Sequence, residues 1–93
     1  MITKEQLTKK NILIEEYIKS LSEDNLPIVK EGCLLSGEVY IKNNKNIYNM
    51  KTNECFELSE NEYNQLLAQT YIILSKSKEY MNDLLKFKKE KLN

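Results

Sequence analysis

Cysteine and carboxylate are the residue types in this chain with chemistry to offer. Cys33 and Cys55 could pair across a hairpin, or two dimer-related pairs could hold zinc. A four-thiolate site brings its ligands in short C-x₂-C pairs; this chain has none, and no histidine to complete a mixed site. A thiol nucleophile needs a base, and without histidine only lysine or a carboxylate is left. Free cysteine is among the most buried residue types, so both thiols are expected in the core, with a disulfide the open alternative. Glu15-Glu16 and Glu60/Glu62 are the carboxylate pairs. General acid–base work needs one member buried and shifted toward neutral pH. These pairs sit in polar runs or at a helix start. There is no Gly-rich phosphate loop, nucleophile elbow or metal-binding helix pair. The expectation is no catalytic, cofactor-binding or metal-binding residue, and no enzyme.

Tyrosine is the more suggestive type. There are six, and tyrosine supplies a large rigid contact surface with a polar tip. Tyr40, Tyr71, Tyr80 and Phe87 are the expected partner-binding anchors.

The elements that must position them begin with the last third. Ser59-Glu60-Asn61-Glu62 is a capping box, with Leu58 and Tyr63 at the two staple positions. No glycine or proline follows, so a helix is expected over about 60–91. Its apolar residues recur at seven, and Leu67, Leu74, Met81 and Leu84 form an expected self-association seam for a homodimer. Thr3-Lys4-Glu5-Gln6 is a second capping box, with Ile2 and Leu7 at its staple positions. A first helix is expected over about 4–22, its stripe running Leu7, Asn11, Ile14, Ile18 and Leu21, widened by Leu13 and Tyr17.

Pro27 forbids continuation, and over about 28–58 the period changes to two. A hairpin or three-strand meander is expected, turning at Asn43-Asn44-Lys45-Asn46. That turn sets Ile41 opposite Tyr48, Val39 opposite Met50, and Glu38 against Lys51. Gly32 and Gly37 mark a turn or bulge. The whole, 1–93, reads as a single α+β domain: N-terminal helix, small antiparallel sheet, long C-terminal helix.

Composition narrows the function. Fourteen basic residues, all lysine, balance 14 acidic ones. Zero net charge and the lack of arginine weaken a nucleic-acid reading, although Lys86, Lys88, Lys89 and Lys91 cluster at the end. No apolar run approaches a membrane span, and no secretory leader opens the chain, so a cytoplasmic protein is expected. Richness in lysine, asparagine and isoleucine suits an AT-rich bacterial genome. The favoured function is a non-catalytic protein-binding module: a small inhibitor, adaptor or assembly factor, fitting a phage or mobile-element accessory protein that inhibits a host defence enzyme. Its partner would be another protein. The alternative is a nucleic-acid-binding regulator using the hairpin and the lysine-rich helix end.

Overall fold

Two capping boxes open two helices, as their sequences require. In the first, Thr3 Oγ1 accepts from the Gln6 N–H at 3.1 Å and Gln6 Oε1 accepts from the Thr3 N–H at 3.0 Å. Ser59 and Glu62 repeat the exchange at 3.1 and 2.9 Å. The computed structural model describes residues 2–30 and 32–76. In chain order they form α1 (Lys4–Ser20), β1 (Ile28–Lys30), β2 (Cys33–Ser36), β3 (Val39–Lys42), β4 (Asn46–Asn49), β5 (Cys55–Glu57) and α2 (Glu60–Leu74). Ser75 and Lys76 follow in a turn, and the remainder of the 60–91 span lies outside the described residues.

The fold is α+β, with more strands than expected. Five strands form one antiparallel sheet in sequential order. The outer ones hold only three residues each, too short for an alternation pattern to reveal. Each connection between strands contains a described left-handed residue: Gly32, Gly37, Lys45 and Asn53, with φ of 64°, 62°, 66° and 62°. Gly37 is needed twice over. Besides its φ, a Cβ there would meet Ser20 Cβ at 3.3 Å, where α1 crosses the β2–β3 turn.

The β3–β4 register differs by one residue from the expected one. Ile41 pairs with Ile47, Tyr40 with Tyr48 and Val39 with Asn49. The turn is three residues long rather than four, because Lys45 takes the left-handed position and donates its N–H to Lys42 O at 3.1 Å. A one-residue slip moves side chains to the other face, so Tyr48 leaves the core side and Ile47 takes its place. Glu38 and Lys51 still meet, at 3.5 Å, as an exposed pair of little weight.

Across the sheet the pairings line up residues in rows. Val29, Leu34, Ile41, Ile47 and Phe56 form one row on the inner face. They share a single core with Leu13 and Tyr17 of α1 and with Leu58, Tyr63 and Leu66 at the start of α2. Here the α2 staple closes as expected, Leu58 and Tyr63 both being buried, whereas Ile2 and Leu7 at α1 stay exposed. The buried line of α1 is Lys10, Leu13 and Tyr17; Leu7 and Ile18, expected in its stripe, lie toward solvent. Lys10 can sit there because its ammonium reaches Glu62 at 3.0 Å.

Two links tie the helices, Lys10 to Glu62 and Tyr17 to Thr70, and a third, Glu23 to Lys76, joins the segments just past their C-terminal ends. They occur in the same order along both helices, so α1 and α2 run parallel. Thr70 Oγ1 donates to Leu66 O at 2.7 Å, so it must accept from the Tyr17 hydroxyl, also 2.7 Å away. Burial pushes the Tyr17 phenol far above its ordinary range and the Tyr63 phenol up to about 12.

Candidate functional site

The same pairings that bury one row place a second row on the opposite face. Ile28, Leu35, Tyr40, Tyr48 and Cys55 run side by side across all five strands. Next to it runs a polar row, Lys30, Cys33, Lys42, Asn46 and Glu57. No described helix covers this face: Ile28 is 48% exposed, and Met50, at the β4–β5 turn, 49%. Ile28, Leu35, Tyr40 and Met50, with Lys30 and Cys33, border an apolar depression of about 150 Å³.

Tyr40 and Tyr48 hold each other in one arrangement. Their rings stack with centroids 4.6 Å apart and planes within 4°. Lys42 Nζ lies 5.1 Å from the Tyr48 centroid and 5.9 Å from that of Tyr40. Asn44 Nδ2 donates to the Tyr48 hydroxyl at 3.3 Å. A contact surface already held in one arrangement loses little side-chain entropy on docking.

A larger hollow, about 500 Å³, lies between the first turns of α1 and the end of β5. Its polar wall is already committed, Lys10 and Ser59 both bonding to Glu62. Burial works against the Glu62 charge, but the Ser59 N–H and the Lys10 ammonium outweigh it and hold the carboxyl below its ordinary range. Glu62 is thus an ionised cap and clasp. A general acid would need the opposite shift.

The cysteines lie on this outer face and not in the core. Cys33 is half-buried and Cys55 exposed, both as free thiols. Two strands separate them, about 14 Å at the usual spacing, twice the Cα reach of a disulfide. Burial raises the Cys33 thiol, against the pull of Lys42 and Lys30. Among the described residues no group of three metal-ligating side chains comes together.

Of the four expected anchors, Tyr40 stands in the outer row. Tyr71 is 38% exposed beside Ile72, in the helix layer on the other side of the sheet, so the two are not brought together. Tyr80 and Phe87 lie outside the described residues. Of the expected seam, Leu67 and Leu74 are buried, at 9% and 0% exposure, and Met81 and Leu84 lie outside the described residues. Sequence reasoning missed Ile28, Leu35, Tyr48 and Met50 as surface residues. The signal for Tyr48 was the turn length, since a three-residue loop pairs it with Tyr40.

No helix among the described residues is long and apolar enough to cross a membrane. Compared with family models, curated proteins and solved structures, the chain matches none.

Proposed function

We propose that the chain is a non-catalytic protein-binding module, a small inhibitor, adaptor or assembly factor, and that its outer sheet face is the contact surface. The observation that carries this reading is the row Ile28, Leu35, Tyr40, Tyr48 and Cys55, apolar across five strands and left without a helix over it among the described residues. An antiparallel sheet ordinarily turns its polar residues to water on the uncovered side. Here the uncovered side carries aromatic and aliphatic residues instead, the composition of an interface centre. Thiols held far apart suit a reducing compartment, and we assign the module to the cytoplasm. AT-rich composition fits an accessory protein of a phage or mobile element acting on a host defence enzyme.

The nucleic-acid alternative gains less from this face. A platform for bases needs open ring faces, and Tyr40 and Tyr48 spend their facing sides on each other.

The test is affinity capture with the immobilised native chain and with Tyr48→Glu, both shown folded by circular dichroism. Extract from the source cells is applied at about 0.1 M and about 0.5 M salt. A protein retained by the native chain at both salts and lost with Tyr48→Glu is expected, because an apolar contact is weakly screened. Capture indifferent to Tyr48→Glu would remove the outer face as the contact surface. Nucleic acid retained at low salt alone would favour the alternative.

A further inference from the structure

We infer that one partner of the outer face is a second copy of this chain, packed sheet to sheet about a two-fold axis along β3; this rests on the reading of that face as a contact surface. The argument is self-complementarity. In the polar row, Lys30 stands on β1 at one edge and Glu57 on β5 at the other, four strand spacings or about 19 Å away. Neither forms an ion pair among the described residues, so both charges are open to a partner; Lys4, Lys19 and Lys42 are likewise without one, but Lys4 and Lys19 stand on α1 and not on this face.

A two-fold interface brings each patch against itself in reverse. With the axis along β3, the β1 edge of one copy lies over the β5 edge of the other. Lys30 then faces Glu57 of the partner subunit, and the symmetry repeats that pair. In the apolar row Leu35 faces the partner's Tyr48, and Tyr40 meets the partner's Tyr40. Lys42 is the like charge nearest the axis, and it lies against its own tyrosine rings. Two twisted sheets pack this way with strands about 30° apart.

The size of the face sets the strength. Five strands at about 4.8 Å, each about four residues long, give roughly 300 Å² in projection. A stable interface covers about 800 Å² per partner, so association belongs in the weak class and calls for concentrations up to about 1 mM.

Sedimentation equilibrium from about 10 μM to about 1 mM is the experiment, on the native chain, Lys30→Glu, Glu57→Lys and the double exchange. All substituted positions are exposed, and circular dichroism checks each fold. The expected result is a concentration-dependent dimer in the native chain, weakened roughly tenfold by either single reversal and restored by the exchange. A native chain that stays monomeric to about 1 mM overturns the inference, as does a dimer indifferent to both reversals. If either happens while Tyr48→Glu still abolishes capture of a different protein, self-association falls and the binding reading stands. If Tyr48→Glu also changes nothing in capture, both fall.

Discussion

The sheet carries two apolar rows built from the same five strands, and only one of them holds the fold together. Val29, Leu34, Ile41, Ile47 and Phe56 face the helices; Leu34, Ile41 and Ile47 have no exposed surface at all. Ile28, Leu35, Tyr40, Tyr48 and Cys55, each one residue away along its strand, face outward. The inner row is aliphatic with one aromatic end, and it shares one core with residues of α1 and α2. The outer row places two stacked tyrosines at its middle and lysine beside them. Apolar pattern alone does not separate a face the described helices cover from one they leave open. The difference lies in which face the two helices reach, and in side chains that keep a polar tip for water or a partner.

The sharpest break of that comparison is Ile41→Ala. It removes the middle of the inner row, where every neighbour is fixed, and should lower unfolding free energy by about 2–5 kcal/mol. Urea denaturation reads this as a lower midpoint with an unchanged slope. A loss below about 1 kcal/mol would mean that the inner row is not the chief source of stability.

Much of this architecture was legible beforehand, and the failures have identifiable causes. Both capping boxes could be read because a cap is a local exchange of two hydrogen bonds between residues three apart. The shift from helical to alternating period gave the α+β class. The strand number was hidden in elements of three residues, whose turns depend on single left-handed positions. The β3–β4 register hung on whether the asparagine-rich turn closes over three or four residues. Lys45 settles it in a conformation that lysine seldom adopts, so no composition rule points there. Tyr48 was misplaced for that reason alone. Lys10 escaped notice in the core because it is charged and needs a specific partner, Glu62, from the other helix.

The Lys10–Glu62 clasp helps keep the inner row covered, so loosening it tests the cover and not the row. Glu62→Gln should cost about 1–2 kcal/mol at neutral pH, the lower end reflecting its partial exposure. The pH dependence fixes the sign. The Glu62 carboxyl is held below its ordinary value of 4.5 in the folded chain. Its contribution is therefore complete above about 4.5 and is lost as pH falls through the lower folded value. Urea midpoints of the native chain and Glu62→Gln should converge as pH drops from about 5 to about 3. A gap that stays constant over that range would mean the glutamine loses packing rather than charge.

The smallest stability effect should come from the centre of the outer row, and that smallness is the point. Tyr48→Leu keeps an apolar side chain but removes the ring stack with Tyr40 and the contact with Lys42. Stacked aromatic pairs contribute about 0.5–1.5 kcal/mol beyond the area they bury, and leucine retains much of that area. The thermal midpoint should move by no more than a few degrees. If the outer face is the contact surface proposed above, partner capture by the same variant should fall at least tenfold, because binding free energy concentrates on rings at the middle of an interface. Core residues behave the opposite way, losing stability and function together. A Tyr48→Leu chain that melts far below the native one would show that the outer row belongs to the fold after all, held there by something that lies across it.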